Sequence, residues 1–169
     1  MADRIAVLRS GELQQVDTPQ RVYDLPANLF VADFMGALNA VMATVEPDGT
    51  CLVLQLGSRR LDSPVFPTAL TEWAGHDVVV AVRPEALRFG KARPGDLHLG
   101  GKVVEVEFLG SDNMVHFIND ATALDGLPES RFSALVRGDP PVQVGDYAGC
   151  VVAPSQFRFF DPETEAAVV

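Results

Sequence analysis

The sequence predicts an all-β fold, a small barrel or sandwich preceded by a short α/β segment, and three observations predict it. Beyond about Asn39 the apolar runs are short, and most alternate with polar positions at period two, as half-buried strands do. Turns rich in glycine, proline and aspartate separate those runs, among them Gly110-Ser111-Asp112, Gly138-Asp139-Pro140-Pro141 and Gly145-Asp146. Paired helix start and stop signals, by contrast, cluster in residues 18–36.

In chain order, a strand pattern covers Asp3 to Leu8, Ser10-Gly11 makes a turn, and a second strand covers Leu13 to Val16. Thr18-Pro19 starts a helix, a hydroxyl cap followed by proline at the first helical position. Val22 and Tyr23 give that helix its apolar face, and Leu25-Pro26 ends it, because a residue before proline disfavours the helical region. Asn28 caps a second helix whose apolar stripe is Leu29, Phe30, Ala32 and Phe34, with Gly36 as its stop. Val41, Ala43 and Val45 then alternate with Met42, Thr44 and Glu46 up to the turn Pro47-Asp48-Gly49, and Leu52, Leu54 and Leu56 form the next face. Val78 to Val82 is the continuous apolar run of a strand buried on both sides.

Over Lys102 to Leu109 the alternation predicts Val104, Val106 and Phe108 facing inward and Val103, Glu105, Glu107 and Leu109 facing outward. Met114 to Ile118, Phe132 to Val136, Ala148 to Ala153 and Phe157 to Phe160 complete the strands. Asn119 to Ser130 reads as an exposed loop and Glu165 to Val169 as a frayed tail. The domain expectation is residues 1–36 as the α/β segment, 37–165 as the β domain and 166–169 as tail.

Composition narrows the function classes. With 169 residues, 47% of them hydrophobic and 21% charged, the chain can fold around a real core. Thirteen basic against 23 acidic residues give a net charge of −10, which disfavours nucleic acid and anionic lipid as partners. No apolar run approaches the ~20 residues that span a bilayer, so no direct membrane insertion is expected. The N-terminus lacks the basic-then-apolar pattern of a signal peptide. Cys51 and Cys150 lie in apolar runs and read as buried thiols of a reducing, cytoplasmic compartment.

The residues that carry chemistry in other proteins find little support. A phosphate loop needs G-x-x-x-x-G-K-[ST], whose backbone N–H groups and lysine surround phosphates. Gly90-Lys91 and Gly101-Lys102 are followed by Ala92 and Val103, which offer no hydroxyl to magnesium. The chain is therefore expected neither to bind ATP tightly nor to hydrolyse it. Arg83-Pro84-Glu85 reads as a structural motif, in which Pro84 turns the chain into a short helical stretch and Arg83 and Glu85 pair locally. Glu105 and Glu107 share a strand face that is expected to be solvated, which suits no acid/base pair. His76, His98 and His116 lack the close spacing of a metal site, and Ser111, Ser130 and Ser155 lack a nucleophile context. Phe157, Phe159 and Phe160 could stack bases, but without a basic groove they are assigned to core or interface packing. No catalytic, cofactor-binding or metal-binding residue is assigned.

Several segments, in order, resemble one family. Ala2 to Gly36 (ADRIAVLRSGELQQVDTPQRVYDLPANLFVADFMG) resembles the closing stretch of the ATPase domain of ABC importer ATP-binding subunits of the sugar and polyamine type, after the switch histidine. Ala81-Val82-Arg83-Pro84-Glu85, the strand Val103 to Gly110, and Val151-Val152-Ala153 through Phe160-Asp161 resemble the transport-associated OB domain, TOBE, that follows it. The resemblance implies tandem OB-like barrels behind a remnant of the ATPase domain, with a regulatory and dimer-stabilising role. It implies ATP and magnesium as cofactors of the parent protein but none in this chain. The implied partners are a second copy and transmembrane permease subunits, at the inner face of the cell membrane. Ile5, Val7, Phe157 and Phe159 are the candidate interface residues. The alternative is a free-standing OB-type sensor of an oxyanion or sugar.

Overall fold

A computed structural model describes residues 3–48, 51–56, 59–63, 66–119 and 131–168. The first hairpin, β1 (Ile5–Arg9) and β2 (Glu12–Asp17), closes on Ser10 and Gly11. Both have positive φ, 51° and 87°, the local twist that suits a two-residue hairpin loop. Helix α1 (Pro19–Asp24) starts where expected, with the Thr18 hydroxyl accepting from the Arg21 amide at 3.3 Å. Asn28 likewise caps α2 (Leu29–Phe34), accepting from the Val31 amide at 2.9 Å. The buried face of α2 is Val31 and Ala32; of the expected stripe Ala32 is buried, Leu29 and Phe30 are half-buried and Phe34 is exposed. Val7, Val22 and Val31 form this segment's own small core.

The rest is antiparallel sheet. β3 (Asn39–Asp48), β4 (Cys51–Leu56), β5 (Arg59–Ser63) and β6 (Asp77–Val82) build one five-stranded sheet, completed by β12 (Arg158–Phe160) from near the C-terminus, in the order β12-β6-β3-β4-β5. β7 (Arg88–Phe89), β8 (Leu97–Phe108), β9 (Asp112–Asn119), β10 (Arg131–Arg137) and β11 (Tyr147–Val152) build the second, in the order β10-β9-β8-β11-β7. One apolar cluster joins the two, running from Val41, Val45 and Val80 to Val103, Phe117, Phe132 and Val152. The predicted inward face Val41, Ala43, Val45 is buried, as is the whole run Val78 to Val82. The architecture is the all-β, OB-like one that the sequence predicts.

The inward face of β8 differs from the expectation. A bulge shifts the register between Val103 and Glu105: Val103 opposes Phe117, while Glu105 opposes His116. The extra residue reverses the alternation, so Val103 points into the core at 1% exposure and Val104 is turned outward. Val106, opposite buried Val115, is half-buried against the core. Phe108 keeps the same side but lies where the β8–β9 ribbon has run past the core, and it is 74% exposed. Glu105 and Glu107 do lie on the wetter face.

The chain end is not frayed through residue 168. The Leu29 amide donates to Glu165 O at 2.8 Å, the Ala167 amide to Ala27 O at 2.9 Å, and the Val168 amide to Phe159 O at 2.8 Å. These bonds hold the last residues between α2 and β12. The expected loop over residues 119–130 lies outside the described residues apart from Asn119, which ends β9. Cys150 is a free, buried thiol, pushed up to about 12 by burial, whereas the Cys51 side chain is outside the description.

Candidate functional site

The Arg83-Pro84-Glu85 motif forms the junction between the helical segment and the sheets. β6 ends at Val82, and Pro84 opens a short 3₁₀ turn, Pro84–Ala86. Arg83 stays extended, with φ −73° and ψ 145°, and reaches back to α2. Its Nη1 donates to Gly36 O at 2.8 Å and to Ala37 O at 3.2 Å, carbonyls of the turn that follows α2. The guanidinium lies over the Tyr23 ring, with Cζ 4.2 Å from its centroid. The Tyr23 hydroxyl donates to the Glu85 carboxylate. Arg83 and Glu85 therefore do not pair with each other as expected; both engage the helical segment.

A second arginine does the same for α1. Arg158 at the start of β12 donates through Nε to Asp24 O at 2.7 Å, and through Nη1 to Ser155 O at 3.0 Å and Phe157 O at 2.8 Å. Arg158 thus holds the last carbonyl of α1, where a cation suits the negative end of a helix, and Arg83 holds the turn that follows α2. Gly36 sits at φ 153°, and a Cβ there would lie 3.7 Å from Tyr23 Cε2, so the chain turns from α2 to β3 tightly against the stacked pair. Burial and the hydrogen bond to Glu85 push the Tyr23 hydroxyl up to about 12, so it remains a donor at neutral pH.

The candidate interface residues fall elsewhere. Val7 is buried with Val22 and Val31, and Phe157 and Phe159 are buried in the main core, so none of the three presents a surface; Ile5 is half-buried at the edge of the small core. The ring of Phe159 meets Phe66 edge-on at 6.0 Å. On the outer face of the second sheet, Glu105 pairs with Arg131. Ser133, which the sequence reading missed, contacts His116, with Oγ 2.8 Å from Nδ1. Glu107 lies 3.7 Å from His116 Nε2, beyond hydrogen-bond length, so among the described residues no carboxylate is hydrogen-bonded to the imidazole as acyl-transfer chemistry requires. Among the described residues no three His, Cys, Asp or Glu side chains converge as a metal would need.

Tyr23, Arg158 and Asn39 were also missed. Asn39 is buried and clamps Ser133, accepting from its amide at 2.7 Å and donating to its carbonyl at 2.8 Å. These partners lie far apart in sequence, and no local spacing announces them.

Comparison with known proteins agrees with this geometry. Residues 80–160 match the TOBE domain family. Over 99% of its length the chain is 35% identical to the sulfoquinovosyl glycerol transport ATP-binding protein SmoE of Agrobacterium fabrum, covering 44% of that protein. It is 46% identical over 66% of its length to the spermidine/putrescine import ATP-binding protein PotA of Rubrobacter xylanophilus, covering 29% of it. It is 32% identical over 99% of its length to the xylose/arabinose import ATP-binding protein XacK of Haloferax volcanii, covering 42% of it. Among solved structures, the cytoplasmic molybdate-binding protein ModG superposes with a TM-score of 0.56 at 17% identity, covering 73% of this chain and 96% of that one. That likeness speaks to the fold alone.

Residues 80–160 thus match a TOBE domain within an OB-like architecture. Over most of its length the chain is similar to ATP-binding subunits of ABC importers, and it spans less than half the length of these relatives. No helix among the described residues is long and apolar enough to cross a membrane.

Proposed function

We propose that this chain acts as the regulatory, dimer-stabilising part of a solute-import ATP-binding subunit and performs no ATP hydrolysis of its own. The observation that carries this reading is the junction. Cations of the TOBE domain, Arg83 and Arg158, grip the carbonyls of Gly36 in the turn after α2 and of Asp24 at the end of α1, in the segment that resembles the end of an ATPase domain. Movement of an ATPase domain would reach the TOBE sheets through these bonds. In a complete transporter the partners would be a second copy and permease subunits at the inner face of the membrane, with ATP and magnesium held by the ATPase domain.

The second copy has a surface to cover. Val104, Phe108, Leu109, Val144 and Tyr147 are all exposed on the second sheet and its adjoining turns. The Val103 amide donates to Asp146 O and the Gly145 amide to Val103 O, which places Val104 beside the 144–146 turn. An apolar group of this kind is characteristic of association sites. Analytical ultracentrifugation tests the reading: the chain should sediment as a dimer at micromolar concentration, and the double variant V104D/F108D as a folded monomer. Calorimetric titration with Mg-ATP should give no saturable heat. A monomeric parent chain or saturable nucleotide binding would overturn it.

A further inference from the structure

The tail after β12 runs between the helical segment and the first sheet. The chain reverses over residues 161–164 and returns as an extended stretch, Glu165 to Val168. Asp161 shapes the reversal: its carboxylate accepts from the Glu163 amide at 2.8 Å, the Thr164 amide at 3.3 Å and the Thr164 hydroxyl at 2.6 Å. The returning stretch then bonds to both sides. Towards the helical segment, the Leu29 amide donates to Glu165 O at 2.8 Å and the Ala167 amide to Ala27 O at 2.9 Å. Towards the sheet, the Asp161 amide donates to Ala166 O at 2.9 Å and the Val168 amide to Phe159 O at 2.8 Å. Asn28 and Phe160 are the antiparallel bridge partners of Ala166 and Ala167. The tail is therefore a short strand that makes residues 27–29 continuous with β12 and, through β12, with the first sheet.

One strand thereby touches three elements. Besides its backbone bonds to the start of α2 and to β12, its Glu165 carboxylate pairs with Arg9 at the end of β1. The groups it joins, Ala27 O and Leu29 N–H on one side and Phe159 O and Asp161 N–H on the other, form a lane that an extended chain fills by strand addition. The fit is made by backbone and small side chains: Ala167 packs against Ala32, Val79, Ala81 and Phe160, Val168 packs against the main core, and Ala166 is exposed. Glu165 is held at φ 60°, a left-handed conformation that opposes the closed arrangement in a residue with a Cβ. The helical segment, for its part, has only Val7, Val22 and Val31 as a core of its own, too little apolar surface to keep it folded unaided. Its order depends on what ties it to the sheets.

We propose that the tail is a strap: residues 165–168 fill a strand-binding slot between the helical segment and β12, fix the segment on the first sheet, and free it when they leave. The structure is the clasped state. In the released state the two sheets keep their shared core, while the helical segment keeps only the Arg83 and Arg158 bonds and the contact of Ala32. The strap is independent of the importer reading, which the sedimentation and nucleotide experiments test separately. Within that reading, it sets how firmly the segment that resembles the end of an ATPase domain is coupled to the sheets.

The test is amide hydrogen exchange on the full chain and its variants. Ala167→Pro removes the donor to Ala27 O and so unfastens the tail from the helical segment. The amides of Val22, Leu25, Ala32 and Met35 bond within that segment and not to the tail, so they report the segment's own opening. In Ala167→Pro they should exchange at least about tenfold faster than in the parent, with the amides of β3, β8 and β9 unchanged. A chain shortened to end at Thr164 should show a larger acceleration at the same four amides. Ala166→Ser changes an exposed side chain and keeps every backbone donor, so it should match the parent. Parent-like protection of the four amides in either Ala167→Pro or the shortened chain would overturn the strap. So would equal acceleration in β3, β8 and β9, which would make the tail part of one cooperative unit with the core, or acceleration by Ala166→Ser as large as by Ala167→Pro.

Discussion

The sheet domain and the helical segment before it are held together by different forces. The sheets share one large apolar cluster, in which Phe117 and Phe132 meet edge-on at 6.2 Å between the strands that carry them. The helical segment buries only Val7, Val22 and Val31 in a core of its own, and it is joined to the sheets by a small cluster of Ala32 against Val79, Ala81 and Phe160 together with cation-to-carbonyl bonds from Arg83 and Arg158. Apolar packing is collective and non-directional, so it is lost all at once. A few charge-assisted hydrogen bonds are directional and can be broken one at a time without opening a core.

The largest expected effect breaks the core side of this contrast. Phe117→Ala removes a fully buried ring and should cost roughly 3–5 kcal/mol in urea unfolding, a large share of a domain's ~5–15 kcal/mol. Phe108→Ala, on the same β8–β9 ribbon but beyond the core, should shift stability of the monomer by no more than about 0.5 kcal/mol. Equal losses from the two variants would mean that the core extends to the ribbon's tip and that the bulge has been misplaced.

The second prediction concerns the junction. Arg83→Met keeps length but removes the donors to Gly36 and Ala37, and a hydrogen bond from a charged group is worth about 1.5–3 kcal/mol. Amides of α1 and α2 should exchange faster by a corresponding factor while those of β3, β8 and β9 keep their protection. Uniformly faster exchange throughout the chain would show that the two regions unfold as one unit.

The smallest effect is one of pH. The folded state raises the Tyr23 hydroxyl from its ordinary 10 to about 12, through burial and its hydrogen bond to Glu85. The folded protein thus holds this proton more tightly than the unfolded chain does. The contribution is complete below pH 10 and is lost as pH rises towards 12. Thermal melts of the parent chain and of Tyr23→Phe should therefore differ most below pH 10 and converge above it. A gap that widens with alkali would reverse the sign and remove Tyr23 from the junction's energetics.

Much of this protein is determined by local sequence. Thr18 and Asn28 cap their helices because a side-chain oxygen one turn from free amides needs no distant partner. The face Val41, Ala43, Val45 and the doubly buried run Val78 to Val82 follow from the two-residue period of a strand. The ordered resemblance of short motifs also points to the importer ATP-binding subunits to which the comparisons find the chain similar. Tertiary structure alone decided the rest. The bulge at Val104 depends on how β8 must pair with β9, and a single inserted residue reverses every later side chain, which no one-strand pattern can reveal. Arg83 and Glu85 lie two positions apart and looked like a local pair. Their actual partners, on Tyr23, Gly36 and Ala37, are brought close only when β6 packs beside α1 and α2. Whether a polar side chain serves its neighbour or a distant carbonyl is settled by which groups burial leaves unsatisfied, and burial belongs to the folded chain.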